Sequence, residues 1–326
     1  MKKIMSIILT LALLLSLTAV SHAEDAKIVI GIIQFAEHGS LDNCREGFIE
    51  GLAEEGFIEG ENIEIRFQNA EADTGIAAQI ADQFAQSCNL ICGIATPAAQ
   101  AAYNVAEGKI PTIYTAVSDP VAAQLANEDG TNPGEVTGTS DALPVEAQLK
   151  LIRAMMPEAT KNGILHTTSE TNSDSTLAEY RRLAPDYGFE IIDQGISMSS
   201  DIPMALDALL PQVDCTTNLT DNTVVQNLAI VLEKSAEAGK PVFGSEIEQV
   251  ANGCVASEGI EYVELGRQTG RMAAKVLKGE AQASEIPYEI ISNSYLYVNE
   301  AAIAQFDGIA LPEELAERAI SVGAEE

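Results

Sequence analysis

The sequence predicts an α/β protein of two similar lobes, each built on a doubly wound parallel sheet. Two observations carry this. Short apolar runs alternate with amphipathic stretches along the chain, and the pattern of the first half recurs in the second. The length agrees, since 326 residues correspond to two domains of roughly 100 to 200 residues each.

Residues 28–35 are apolar but for Gln34 and read as a buried strand, and 41–55 carry apolar positions at helical spacing. Strand 63–67, helix 74–86, strand 90–95, helix 97–107 and strand 112–114 follow in alternation. A second series starts after 136–141. Ala106-Glu107-Gly108-Lys109-Ile110-Pro111 before Thr112-Ile113-Tyr114 matches Glu237-Ala238-Gly239-Lys240-Pro241 before Val242-Phe243-Gly244. Leu52 to Phe57 matches Leu183 to Phe189, and Ile94-Ala95-Thr96-Pro97 matches Asn218-Leu219-Thr220-Asp221. The matched segments lie roughly 130 residues apart, the spacing of a duplicated lobe.

Met1-Lys2-Lys3, the apolar run 4–20 and Ser21-His22-Ala23 have the order of an export signal with a small-x-small cleavage site, so residues 1–23 are expected to be removed. No cysteine stands at that site to take a lipid, and the product is expected to be a soluble periplasmic protein. With 18 Lys and Arg against 49 Asp and Glu, the net charge of −31 excludes a nucleic-acid footprint and disfavours anionic membrane surfaces. The five cysteines (Cys44, Cys88, Cys92, Cys215, Cys254) do not form a disulfide framework. Cys215 with Cys254 is the pairing worth testing, and burial as small hydrophobes suits most of them. His38 and His166 stand far apart without ligand spacing, so no metal and no cofactor is expected.

In open parallel sheets ligands sit beyond the carboxyl ends of the strands. Those ends are 34–38, 95–98, 115–120, 167–172, 220–222 and 244–246, and two lobes would face them across a cleft. They hold hydroxyls, amides and carboxylates but no Lys or Arg, which disfavours phosphate and dicarboxylate ligands. A zwitterion fits better. Asp221 or Glu246 is expected to take an ammonium, and Thr96, Ser118 and helix N-terminal amides a carboxylate. For Thr96, Ser118 and Asp221 simple helix capping is the competing explanation. Sugar binding has less support, because there is no Trp and Phe35, Tyr114 and Phe243 read as core. No catalytic motif appears, and His38 beside Glu37 reads as a bystander, so the chain is taken as a binder rather than an enzyme.

The segments Gly31 to His38 with Leu41-Asp42, Ala95 to Gln100, Thr115 to Val121, Val136 to Asp141, Thr220 to Val224 and Glu264 to Gly270, in this order, resemble the tryptophan/tyrosine-type substrate-binding proteins of ABC transporters. The resemblance implies a periplasmic-binding fold whose lobes are joined by three crossovers, near 136–141, after Cys254 and around Ile286. Lobe 1 would comprise 27–140 plus about 257–285, helix 265–278 included, and lobe 2 would comprise 141–256 plus about 286–326. The implied function is capture of a small ligand, often an aromatic amino acid, and its delivery to a permease with its ATPase. Thr96, Ala98, Ser118 and Asp119 would line the first lobe, Asn172, Asp221, Asn222 and Glu246 the second, and Glu37 would close the edge. The alternatives are a sensory receptor of the same fold, a binder of another solute such as a sugar, and an exported enzyme.

Overall fold

The computed structural model describes residues 27–106, 108–291 and 293–323; the export signal expected at 1–23 lies outside the described residues. The first lobe is a six-stranded parallel sheet. Strand β1 (Ile28–Gln34) pairs with β2 (Ile63–Asn69) on one side and β3 (Leu90–Ile94) on the other. Beyond β3 lie β4 (Thr112–Thr115) and β5 (Val136–Ser140). Helices α1 (Gly39–Glu54), α2 (Thr74–Ala85) and α3 (Thr96–Ala106) connect the first four strands. Ile30, Ile32, Leu90 and Ile91 are fully buried because both faces of the sheet are covered by helix, which is why these strands read as apolar runs rather than alternating ones.

The second lobe holds α4 (Val145–Met155), β6 (Lys161–Thr167), α5 (Thr171–Leu183), β7 (Glu190–Ile196) and α6 (Ile202–Leu209). Strand β8 (Cys215–Thr217), α7 (Asn222–Gln226), α8 (Leu228–Glu237) and β9 (Val242–Phe243) follow, and the parallel sheet runs β7-β6-β8-β9. After α9 (Ile247–Ala251), β10 (Ala256–Gly259) continues this layer: the Gly244 amide donates to the Ala256 carbonyl and the Val255 amide to the Val242 carbonyl. Long α10 (Tyr262–Leu277) returns to the first lobe, and β11 (Glu289–Ile290) pairs with β5. Strand β12 (Tyr295–Val298), antiparallel to β10, then rejoins the second lobe, followed by α11 (Glu300–Ile303), α12 (Glu313–Ala316) and β13 (Ala319–Ser321) beside β12.

The strand pairing places the second and third crossovers. The second falls between Gly259 and Tyr262, and the third after Ile290 rather than around Ile286. The cause of the later shift is local: the Ile286 carbonyl accepts hydrogen bonds from Thr137 Oγ1 and Asn132 Nδ2, both at 2.6 Å, and these hold the segment on the first sheet's edge. All five cysteines are buried free thiols, Cys215 and Cys254 included, so the pairing singled out for testing is not made. Among the described residues no helix is long and apolar enough to cross a membrane.

Helix α10 docks on α1 by backbone contact. A Cβ placed on Gly47 would lie 1.9 Å from the Val263 carbonyl oxygen, and one on Gly51 2.1 Å from that of Arg267. The reverse contacts are as tight, since a Cβ on Gly266 would lie 2.1 Å from the Cys44 carbonyl oxygen and one on Gly270 2.3 Å from that of Phe48. Around this seam Arg267 pairs with Glu50 at 2.6 Å and Arg271 with Glu54 at 2.8 Å, half-exposed ion pairs that add little to stability. The glycines set the helix separation. Gly51→Ala is therefore expected to lower the unfolding free energy by roughly 2 kcal/mol or more in urea titration, because the methyl meets backbone that cannot rotate away. An unchanged midpoint would show that the helices part without cost.

Candidate ligand-binding cleft

The carboxyl ends of both sheets face each other between the lobes. On the first lobe the chain leaves β3 and β4 through Ala95 (φ 76°) and Ala116 (φ 54°), two buried non-glycine residues in the left-handed region. Such backbone costs on the order of 1–2 kcal/mol per residue and marks a sharply forced turn. At Ala95 the turn starts α3 at once, with Thr96, Pro97 and Ala98 buried at the strand ends. First-turn amides of a helix have no intrahelical acceptor, so those of Thr96 and Ala98 stand at the positive end of the helix dipole. Thr96 Oγ1 is buried without a hydrogen-bond partner among the described residues.

On the second lobe Asn172 occupies the first turn of α5. Its Nδ2 donates to the Thr220 carbonyl at 2.9 Å and lies 3.3 Å from Glu170 Oε2, an arrangement that assigns the amide orientation. The opposite atom, Asn172 Oδ1, is buried and has no partner among the described residues. Residue exposure is 1% for Thr96 and 3% for Asn172. Ser118 and Thr220 meet from opposite lobes with their hydroxyls 3.2 Å apart.

The carboxylates expected to hold an ammonium are otherwise engaged. Asp221 accepts from the Thr167 amide and hydroxyl at 2.5 and 2.8 Å, Ser173 Oγ at 2.7 Å and the Val224 amide at 2.9 Å. Four donors from its own lobe saturate it, and it caps α7. Glu246 is buried at the lobe boundary, where the Ser40 hydroxyl of α1 lies against both it and Glu248. Burial first, then the Glu248 charge, pushes the Glu246 carboxyl up to about 8. Asp119 caps its own turn, accepting from the Val121 and Ala122 amides at 3.1 and 2.9 Å. Asn222 donates its amide and Nδ2 to Glu170, while its Oδ1 lies 3.4 Å from His38 Nε2 across the boundary. Glu37 is exposed on the rim of a 300 Å³ cavity beside His38 and Val225.

Of the nine residues singled out from the sequence, Ser118 meets the other lobe, Thr96 and Asn172 hold buried polar atoms without partners among the described residues, Ala98 is buried, Asp119, Asp221, Asn222 and Glu246 make hydrogen bonds within the protein, and Glu37 is exposed. Sequence reasoning missed Glu170, although it sits at a strand end beside Asn172. Burial and the Asp221 charge raise its carboxyl to about 7 against the pull of the Asn222 and Thr223 donors. It also missed Ala95 and Ala116, whose left-handed conformation has no signature in residue type. Phe35, Tyr114 and Phe243 are core. A 310 Å³ cavity beside Ser118, Asp119 and Tyr288 and another of the same volume beside Phe35, Thr167 and Glu170 flank the central contacts. Neither is lined by Lys or Arg among the described residues.

Asp221→Asn is expected to cost about 2–4 kcal/mol of unfolding free energy, because an amide accepts fewer of the four bonds and sets one N–H against a donor. Denaturant titration checks this, and a loss below 0.5 kcal/mol would show that the carboxylate does not organise the lobe.

Comparison with known proteins agrees with this architecture. The model of the family described as ABC transporter substrate binding protein matches residues 29–323. A tyrosine-binding protein of Clostridioides difficile (strain R20291) is 37% identical over 279 residues, covering 85% of this chain and 80% of that protein. The crystal structure of an ABC domain from Streptococcus pneumonia in complex with L-Trp superposes with a TM-score of 0.87 at 32% identity, covering 91% of this chain and all of the other. The ligand-free, open structure of a substrate-binding protein with adhesive properties from Clostridium difficile gives only 0.68, although it is 36% identical over the same 91% of this chain and all of the other. The better fit to the less similar sequence accords with the hydrogen bonds between the lobes here: they are closed on each other. The chain belongs to the ABC transporter substrate-binding protein family.

Proposed function

We propose that this protein is an exported periplasmic receptor that shuts its two lobes on an aromatic amino acid, tyrosine or tryptophan, and presents the closed form to an ABC permease with its ATPase. One observation carries the reading. Two buried polar atoms without partners among the described residues, Thr96 Oγ1 and Asn172 Oδ1, stand on the first turns of α3 and α5, contributed by opposite lobes. A zwitterion completes both. Its carboxylate accepts from the Thr96 hydroxyl and the Thr96 and Ala98 amides, where the helix dipole favours negative charge. Its ammonium donates to Asn172 Oδ1, which can only accept. The aromatic class is supported by the tyrosine-binding relative and the tryptophan-bound structure rather than by a side-chain pocket.

The physical mechanism is a population shift. A ligand that touches both lobes favours the closed state by its differential affinity for the two arrangements. With no lysine or arginine lining the flanking cavities, an anion without an ammonium finds no counter-charge there, which selects for zwitterions over dicarboxylates.

The test is a thermal-shift panel of the twenty amino acids, sugars and dicarboxylates on protein stripped by unfolding and refolding. Tyrosine or tryptophan at ~100 times its Kd is expected to add about 2.7 kcal/mol, a rise of a few degrees. Thr96→Val and Asn172→Leu are each expected to weaken that ligand by roughly tenfold or more, the first without a comparable fall in ligand-free stability and the second with one, because it also removes the donor to the Thr220 carbonyl. A response confined to sugars would discard the amino-acid assignment, and undiminished affinity in both variants would discard the contacts.

A further inference from the structure

The boundary between the lobes contains a hydrogen-bond pattern that the ligand reading does not use. The Ser40 hydroxyl, on the first turn of α1 in the first lobe, lies against Glu246 Oε2 and 2.8 Å from Glu248 Oε2 in the second. Asn43 Nδ2, one turn further along α1, donates to Glu248 Oε1. A hydroxyl carries one proton and donates to one acceptor. Two close carboxyl contacts on the same oxygen therefore require one of the carboxyls to bring a proton of its own. Asn43 supplies Glu248 with a donor, so the extra proton belongs on Glu246, and the chain reads Glu246 O–H to Ser40 Oγ, Ser40 O–H to Glu248, Asn43 N–H to Glu248.

We propose that closing the lobes takes up one proton from solvent, held on Glu246 against Ser40, so that ligand capture is coupled to protonation of this seam. This rests on the reading that the lobes close on a ligand. The groups facing Glu246 agree with it. They are Glu248 and Gln249 from its own segment, Ser40 from α1, Asp141 from the first crossover, Tyr262 at the start of α10 and the Cys254 thiol before β10. Glu261 in turn faces Glu248. No lysine or arginine is among them, and Glu246 is 1% exposed. With the lobes apart, Ser40 is withdrawn and the carboxyl returns toward its ordinary value.

His38 works in the opposite sense. Half-buried, with its ring against Asn222, it is lowered by burial from 6.5 to about 4 in the closed form against the pull of Asn222 and the Asp42 carboxylate of α1, so closing expels its proton between about pH 4 and 6.5. Glu246 rises from 4.5 to about 8, so closing binds its proton between those values. The two cancel between about 4.5 and 6.5, uptake dominates from 6.5 to 8, and neither contributes above that. Affinity is thus expected to be level in mild acid, to fall on the order of tenfold between pH 6.5 and 8, and to level again.

Two measurements test this independently. In protein locked shut by a disulfide between Ser118→Cys and Thr220→Cys, the infrared band of protonated carboxyl at pH 7 is expected to lose intensity when Glu246→Gln is added. Superimposable spectra would overturn the proposal, whatever the ligand. Calorimetric titration with tyrosine and tryptophan at pH 7.5, in two buffers of different ionisation enthalpy, is expected to show uptake approaching one proton per ligand in the native protein and none in Glu246→Gln. Equal uptake in both, or none in the native protein, would also overturn it. If neither amino acid binds while the infrared band behaves as expected, the ligand assignment fails and the proton-holding seam stands.

Discussion

The backbone contact between α1 and α10 governs where the functional groups of the first lobe stand. Helix α10 arrives only after the chain has built most of the second lobe. It docks through Gly47, Gly51, Gly266 and Gly270, where added methyl groups would collide with carbonyl oxygens at 1.9–2.3 Å. That contact fixes α1 along its length, and the first turn of α1 carries Ser40 and Asn43 to Glu246 and Glu248. The start of α10 does the same at the hinge, where Tyr262 donates to Asp141 Oδ2 at 3.0 Å. Two elements far apart in sequence thus hold one lobe in register for the other to close against.

The buried acids divide into two groups by what surrounds them. Glu170 and Asp221 lie within one lobe and receive five and four hydrogen bonds from that lobe, although burial and the Asp221 charge still push the Glu170 carboxyl up. Asp141, Glu246 and Glu248 lie where the lobes meet, and all three are pushed up with burial as the first cause. A net charge of −31 raises the background against any anion, whereas a zwitterion has no net charge to be repelled. This accords with the proposed reading surface of hydroxyl, amide and helix N-terminus rather than an arginine fork.

The strand and helix order was legible because parallel strands covered on both faces leave apolar runs, and 28–35 against the observed Ile28–Gln34 is a case in point. Thr96 and Asn172 were legible as strand-end polar residues. Asp221 was legible only as an ambiguity, since a capping aspartate and a ligand-binding one look alike until its four donors are counted. Glu246 required knowing that Ser40, over two hundred positions away, faces it. The crossover after Ile290 was missed because Thr137 and Asn132 hold the Ile286 carbonyl through tertiary contacts that leave no periodicity. Gly47 and Gly51 show the spacing of a close helix contact, but spacing alone does not name the partner.

Closure is balanced by quantities of the same size. On the proposed reading, closure withdraws Thr96 Oγ1 and Asn172 Oδ1 from water, and a buried polar atom that finds no partner costs about 1–3 kcal/mol. Turning a population from mostly open to mostly closed takes about 5.5 kcal/mol of differential affinity. A ligand that partners both atoms removes a penalty of that order before any apolar contact is counted. The bonds at the seam, Ser118 with Thr220 and Ser40 with the two glutamates, replace water contacts that each lobe makes when apart, and such exchanges are worth only about 1 kcal/mol each. On the proposed reading, a ligand that partners both atoms is therefore what tips the lobes shut, since the seam bonds alone contribute little.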